Sequence, residues 1–311
     1  MGDNTYREYL HQVADSVHSI IVRKFGIPSL SDRDAENDLK KPKLSQEHCS
    51  NDLRNSLVSN PSHAIPIEDA NAISLMDFKK KYFNTHTPCL LKNASKNWEA
   101  YRKWSDVNYL LEKAAYRAVP VEIGQYYTSE DWSQKIMPFH QYVKEYVMEG
   151  NTQIGYLAQH PLFEQIHSLR KDIQEPIYCM LGELGEMSGV NAWYGPKGTI
   201  SPLHTDPCDN ILVQLVGHKF VRIYHPDETP HLYKRQSGIL QANTSEIDNL
   251  HLLQFEEEER KILNEKFPLI SKATHYWDCT LCEGDMLFIP KLYWHYVQSL
   301  SISFSISYWF V

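Results

Sequence analysis

Between Gly189 and the end of the chain, short strand-like runs follow one another with turn residues at the breaks. This rhythm limits the fold more than any other feature. The runs are Val190 to Tyr194, Thr199 to Leu203, Asn210 to Val216 and Phe220 to Tyr224. After a long insertion the pattern returns as Tyr276 to Leu281, Met286 to Ile289, Tyr293 to Val297 and Ile302 to Phe310. Gly195-Pro196-Lys197-Gly198, Gly217-His218 and Cys282-Glu283-Gly284-Asp285 mark the breaks. Many short strands joined by tight turns predict a β-sandwich or a small closed barrel.

The first half reads differently. Tyr6 to Phe25 carries apolar residues at helical spacing, Ser31 to Ser45 is charged and loop-like, and Gln46 to Val58 fits a second helix. Residues 1–63 are therefore expected to be a helical segment and linker ahead of the main domain at 64–311. Ser74 to Phe83 predicts a helix with Ser74 as N-cap and Asp77 three residues on. Asp106 to Tyr116 predicts another, capped by Ser105, and Phe139 to Met148 and Leu162 to Ile173 two more. Short strands are expected at Pro88 to Leu91, Ala118 to Ile123 and Gln153 to Leu157. Pro120 marks the second of these as an edge. The helices should flank a barrel whose core runs from about 155 to 311. Within the insertion Lys234 to Thr274, Glu256 to Glu259 reads as a solvated helix start.

With 311 residues and 42% of them hydrophobic, the chain can bury a full core without disulfides. Its six cysteines are scattered, and the lone C-x-x-C of Cys279 and Cys282 has no second pair at zinc-ribbon spacing, so both are expected to be reduced. The net charge of −8 and the lack of a Lys/Arg tract argue against direct binding of nucleic acid. No apolar run is long enough to cross a membrane and no signal-like segment opens the chain. A nuclear or cytoplasmic location is the expectation.

Three features carry chemistry. In Ser201-Pro202-Leu203-His204-Thr205-Asp206, a His and a carboxylate two residues apart share one face of an extended chain. His295 lies on another strand-like run. Two imidazoles and one carboxylate suit a non-haem Fe(II) site with open positions, although the same set also holds zinc. Lys219 opens the run that follows Asn210 to Val216. In hairpin geometry the two strands lie side by side and Lys219 either opens a surface strand or points inward, where an ammonium needs an anion. The last run alternates Ser301, Ser303, Ser305, Ser307, Trp309 with Ile302, Phe304, Ile306, Tyr308. The small face is turned either to solvent or into a barrel, where it leaves room for a ligand.

These residues carry a resemblance. Asn191 to Gly195, His204-Thr205-Asp206 with Asn210 and Val213-Gln214, and Gly217 to Arg222 resemble a JmjC oxygenase. So do Gly284-Asp285, Phe288-Ile289-Pro290 and Tyr293 to Val297. Val119 to Glu122 and Gly155 to His160 are similar to a subgroup that hydroxylates protein arginine. The resemblance covers about residues 88 to 311. It implies a mainly β fold with flanking helices, a double-stranded β-helix of the jelly-roll or cupin kind. It also implies Fe(II), 2-oxoglutarate and O2 as cofactors. His204, Asp206 and His295 match the iron ligands. Lys219 matches the partner of the distal 2-oxoglutarate carboxylate, and Tyr156, Ser201, Asn210 and Trp309 match its other contacts. Glu122, Gln159 and Trp193 match a pocket for a substrate arginine. On the residues alone, without the resemblance, Glu122 reads as an ordinary strand-edge surface group.

The expected function is hydroxylation of a protein side chain, arginine first, with release of succinate and CO2. Demethylation of N-methyl-lysine on histones is the alternative with the same iron chemistry. A non-catalytic module of this fold and a zinc hydrolase are the rivals from other classes. The zinc reading gives Lys219 and the serine strand no role.

Overall fold

The computed structural model describes residues 64–124, 127–129, 131–148, 153–183, 185, 187–236, 242–248, 250 and 257–311. The expected helices at 6–25 and 46–58 lie outside these residues. Two sheets face each other. The larger contains β1 (Ile67–Asp69), β2 (Cys89–Lys92), β3 (Ala118–Ile123), β4 (Ser133–Pro138), β5 (Gly155–His160), β6 (Met187–Gly195), β8 (Asp209–Val216), β11 (Met286–Ile289) and β13 (Ser303–Phe310). Its order is β1-β2-β11-β8-β13-β6-β5-β3-β4. The smaller contains β7 (Ile200–Thr205), β9 (Lys219–Tyr224), β10 (Tyr276–Leu281) and β12 (Trp294–Ser299), in the order β10-β9-β12-β7. This is the expected mainly β, jelly-roll architecture.

Alternation sorts each strand into an inner and an outer face. On β13, Phe304, Ile306, Tyr308 and Phe310 join the apolar core between the larger sheet and the helices. Ser303, Ser305 and Ser307 are buried on the other face, inside the barrel. They are hydrogen-bonded rather than merely small: Gln214 donates to Ser303 at 2.9 Å, and Ser305 donates to Gln214 at 2.6 Å. Val221, Ile223, Leu212, Ile289 and Val297 close one zone of the interior with an apolar cluster.

One pairing differs from the sequence reading. β8 and β9 do not lie side by side. β8 pairs with β11 and β13, whereas β9 pairs with β10 and β12. The chain crosses between the sheets at Gly217, whose φ is +69°. A Cβ there would meet the Ile302 carbonyl oxygen at 1.9 Å, so only glycine makes this corner.

Among the helices, α1 (Leu75–Phe78) is capped by Ser74 as expected and runs on as a π-helical turn, Lys79–Phe83. Next come α2 (Glu99–Lys103) and α3 (Val107–Ala114). The α3 cap is Asp106, not Ser105; its carboxylate accepts from the Asn108 amide at 3.0 Å. The next helix, α4 (Phe139–Tyr142), also continues as a π-helical turn, Val143–Met148. The single helix expected at 162–173 is two, α5 (Leu162–Gln165) and α6 (His167–Arg170), divided at Ile166. That break lets Leu162, Phe163, Ile166 and Leu169 all enter the core. No described helix is long and apolar enough to cross a membrane.

Pro120 does not mark an edge. β3 is flanked along its length by β4, and β5 pairs with it only at Glu122 and Ile123. The proline sits beyond that paired stretch, where its missing N–H costs no ladder bond. The insertion has a structural use. Ser245 donates its amide to the Leu203 carbonyl, and Ile247, Leu250, Leu263, Phe267 and Ile270 cover the outside of the smaller sheet. Its helix α7 (Glu257–Lys266) opens on Glu257, Glu258 and Glu259, as expected for a solvated start. Cys279 is a buried thiol outside any disulfide. Cys282 is disulfide-bonded, so the expected reduced state holds for Cys279 alone.

The smaller sheet is tied by an ion pair. Arg222 donates to Asp278 through Nε and Nη2, both at 2.7 Å, with the two side chains 6% and 0% exposed. Asp278→Ala would leave the guanidinium buried without its carboxylate, at a cost of about 3–5 kcal/mol. The expected outcome is a melting temperature lower by roughly 10 °C, measured by calorimetry.

Candidate metal and cosubstrate site

His204, Asp206 and His295 offer ligand atoms that all lie within 4.8 Å of one another. The local fold explains how. Ser201 and His204 are three residues apart, so a regular strand would point them to opposite faces. β7 carries a bulge. His204 pairs with His295 and Ser201 with Val297, so Pro202 and Leu203 together oppose Tyr296 alone. Leu203 swings into the outer cluster, and Ser201 and His204 both face the cavity. Pro202 has no N–H to lose from the interrupted ladder.

Each imidazole is oriented by a backbone carbonyl two residues back. His204 Nδ1 donates to Pro202 O at 2.7 Å and His295 Nδ1 to Tyr293 O at 3.0 Å. Both Nε2 lone pairs are thereby left for a metal. Burial, then the neighbouring His204, pulls His295 down to a pKa of about 4, so the ring is neutral at neutral pH. Asp206 completes the set, with Oδ1 3.9 Å from His204 Nε2 and Oδ2 3.6 Å from His295 Nε2. Two imidazoles and a carboxylate on one side of a point fit a divalent iron.

Lys219 points inward. It is 2% exposed, and its Nζ donates to the Tyr156 phenol at 3.1 Å. No carboxylate pairs with it among the described residues. Burial alone pulls its pKa down to about 7. On the β9–β12 ladder Lys219 faces Ser299, and Ile223 faces His295. Lys219 therefore stands four residues, about 13 Å, from the level of His295, and its own side chain spans part of the gap. The cavity wall joins both ends through Tyr156, Ser201, Asn210 and Ser307. Asn210 Oδ1 is buried with no hydrogen-bond partner. A small diacid, one end at the metal and the other at the ammonium, fits this donor set.

The remaining expected residues divide. Trp193 lines the cavity and donates its indole N–H to Ser307 at 2.9 Å. Glu122 is half-buried and lies directly across the ladder from Tyr156, on the face that looks into the site. Burial raises its pKa, which a Trp132 hydrogen bond partly offsets. Trp309 is not on the cavity wall. It sits beside Asn210 on the β13–β8 ladder, with its indole N–H buried and unpartnered. Gln159 is exposed and takes a left-handed conformation, φ 44°. Sequence reasoning missed Ser307, Leu212, Ile289 and Val297 on the wall. The alternation of their strands contains that information once one inward residue per strand is known.

A jelly-roll that sets two histidines and an aspartate opposite a buried lysine defines a cupin-type oxygenase domain of the JmjC class. The comparisons agree. The chain belongs to the cupin-like domain family, whose model matches residues 76–311. It is 44% identical over 237 residues to lysine-specific demethylase 8 of Xenopus tropicalis, covering 76% of this chain and 51% of that protein. The protein of the same name from Danio rerio is 39% identical over 288 residues, covering 91% and 65%. JmjC domain-containing protein D of Dictyostelium discoideum is 41% identical over 251 residues, covering 75% and 53%. The chain thus spans about half to two thirds of these relatives. JmjC domains are generally Fe(II)- and 2-oxoglutarate-dependent.

Between about pH 7 and 10.5 the unfolded chain holds a proton on Lys219 that the ligand-free fold has released. Stability of the ligand-free protein therefore rises with pH across that window, and the penalty is full below it. Lys219→Met should raise the ligand-free melting temperature at pH 6 by about 4–8 °C, for a gain of about 2 kcal/mol. The gain should shrink by pH 10, and 2-oxoglutarate should no longer shift the melting temperature. Wild type should take up a proton on binding 2-oxoglutarate at pH 8, measured by calorimetry in buffers of different ionisation enthalpy.

Proposed function

We propose that this protein is an Fe(II)- and 2-oxoglutarate-dependent oxygenase acting on a cationic side chain of a protein substrate, arginine first. The observation that carries the reading is the inward Lys219 ammonium with no carboxylate, in one cavity with His204, Asp206 and His295. A zinc hydrolase has no use for that lysine. A binding module without catalysis has no use for carbonyl-oriented imidazoles.

In this reading His204, Asp206 and His295 hold the metal through Nε2, a carboxylate oxygen and Nε2. Lys219 and Tyr156 hold the distal carboxylate of the diacid, and Asn210 and Ser201 line its flank. Iron and 2-oxoglutarate, when bound, would supply with O2 the oxidising power to hydroxylate a C–H bond, one oxygen atom of O2 going to succinate as CO2 leaves and the other to the substrate. The protein's own part is positioning and exclusion of water. Lys219 fixes one end of the diacid as a point charge. Leu212, Ile289 and Val297 keep that zone of the barrel dry. Glu122 receives the substrate cation at the mouth. Its raised pKa reflects a desolvated carboxylate that a guanidinium would satisfy through two parallel hydrogen bonds.

A second reading is favoured by the names of the relatives, two of which are lysine-specific demethylases. Here Glu122 would receive a methylated ammonium, and the oxidised methyl group would leave as formaldehyde. Mass spectrometry of arginine and N-methyl-lysine peptides, incubated with the protein, Fe(II), 2-oxoglutarate and O2, separates the two. A gain of one oxygen on arginine is the expected result; loss of a methyl group alone would reverse the order. His204→Ala should lower turnover by at least about 1,000-fold while the fold is retained. Glu122→Gln should leave the 2-oxoglutarate-induced thermal shift intact and reduce peptide kcat/KM by about 10- to 100-fold. Loss of that thermal shift would remove Glu122 from the substrate role.

A further inference from the structure

The larger sheet ends on β4, and its outer edge is free among the described residues: β4 pairs only with β3. Which backbone groups face outward follows from the ladder. The Gly124 amide donates toward β5, to Ile154 O at 3.0 Å. Alternate residues of a strand turn their N–H and C=O to opposite sides. Glu122 and Pro120 therefore face β5, and Val119, Val121 and Ile123 face β4. The Phe139 amide bonds back to Arg117 O at 2.8 Å, in the same phase. Ser133, Lys135 and Met137 consequently bond to β3. Gln134 and Ile136 present their N–H and C=O outward.

The same register fixes the side-chain face. Gln134 opposes Glu122, and Glu122 opposes Tyr156, whose phenol touches Lys219. Residues directly opposed share a face. Gln134 and Ile136 thus project on the face that looks into the site. Ile136 is 77% exposed, more than any other large apolar side chain described. An outward pair of backbone donors and acceptors, with an apolar side chain bare beside them, is a template for one more strand.

We propose that β4 is a docking strand, to which the substrate polypeptide adds by backbone pairing at Gln134 and Ile136; this rests on the oxygenase reading above. The edge offers two outward residues, far short of the twenty or so per side that a stable dimer needs, so a transient extended peptide fits it better than a second copy of this chain. An added strand lies two strand spacings, about 10 Å, from β3. The oxidised residue therefore does not sit in the added strand. It lies in the segment that leaves the strand and turns over Glu122, three or four extended residues away. Docking on β4 is a property of the flank, and short peptides lack it.

The test uses the full chain with Fe(II) and 2-oxoglutarate. The probes are two peptide pools, of fifteen and of seven residues, with a central arginine or N-methyl-lysine and randomised flanks. Ile136→Pro removes one outward N–H and no bond to β3; Ile136→Val keeps it. Oxidation of the fifteen-residue pool should fall about five- to tenfold with Ile136→Pro, through KM. Oxidation of the seven-residue pool, peptide-free turnover of 2-oxoglutarate, and everything measured with Ile136→Val should stay at the wild-type level. The wild-type amides of Gln134 and Ile136 should exchange hydrogen more slowly once the longer peptides are added, which reads the contact even if Ile136→Pro folds poorly. Unchanged oxidation of the longer pool overturns the proposal, as does an equal loss on both pools. So does a wild-type dimer that Ile136→Pro splits without affecting oxidation, because it assigns the edge to a second copy. If wild type oxidises neither pool, the substrate reading fails first and the docking strand falls with it.

Discussion

The Lys219 ammonium is the constraint on which the architecture of the site turns. A charge this buried costs several kcal/mol unless an anion meets it. Among the described residues its hydrogen-bond partner is a phenol, at 3.1 Å, and no carboxylate pairs with it. Replacing the lysine with an apolar residue would make a better core, so its presence is a local conflict between folding and something else. The conflict resolves if the missing anion arrives from solution. The rest of the cavity is consistent with that. Asn210 and Trp309 keep buried polar atoms without partners at the same ladder position. The Asn210 oxygen lies on the cavity wall, where an incoming ligand can satisfy it.

Two local irregularities convert a jelly-roll into that cavity. The β7 bulge turns His204 inward beside Ser201 and lets Pro202 orient its ring. The Gly217 corner carries the chain from the larger to the smaller sheet, and Lys219 begins its strand two residues later. The lysine and the metal residues therefore enter from different strands of one small sheet. Their separation is set by strand register, not by loop conformation. A site built on strands holds its spacing better than one built on loops, which suits a ligand that must touch both ends at once.

Much of this was legible in the sequence, for physical reasons that can be named. Period-two alternation in Ser303 to Phe310 and the short apolar run of Asn210 to Val216 marked the strands, and the inward serines follow from the alternation. The histidines and Lys219 stood out because charged or titratable residues are unusual in such runs. The failures also have causes. β4, Ser-Gln-Lys-Ile-Met-Pro, has four exposed residues in six and no apolar face to report, so nothing in its pattern marks a strand. The assignment of β8 and β9 to different sheets depends on the packing of Gly217 against Ile302, a contact between residues far apart in the chain. Asp106 displaced Ser105 as a cap because two adjacent capping residues compete and backbone geometry decides. The insertion looked like an appendage because its apolar residues are spread over 24 positions, from Ile247 to Ile270, and meet only on the outside of the smaller sheet.

That last placement bears on how such a domain acquires a substrate. In the proposed reading the barrel interior is taken up by the metal and the diacid, and selection falls to the rim. Two walls meet there. From the β3–β4 hairpin, Thr128 donates to Asp248 at 2.6 Å and Tyr127 lies 3.3 Å from the Thr244 hydroxyl. From the insertion, Arg235 donates to the same Asp248 at 3.1 Å. Thr244 in turn bridges to His204, so the wall that meets the hairpin also abuts the candidate metal site. These contacts among the described residues are polar, and the exposed ones are each worth about 1 kcal/mol or less. Hairpin and insertion thus meet at the rim, and the β4 edge, unpaired among the described residues, belongs to the hairpin, whose other strand carries Glu122.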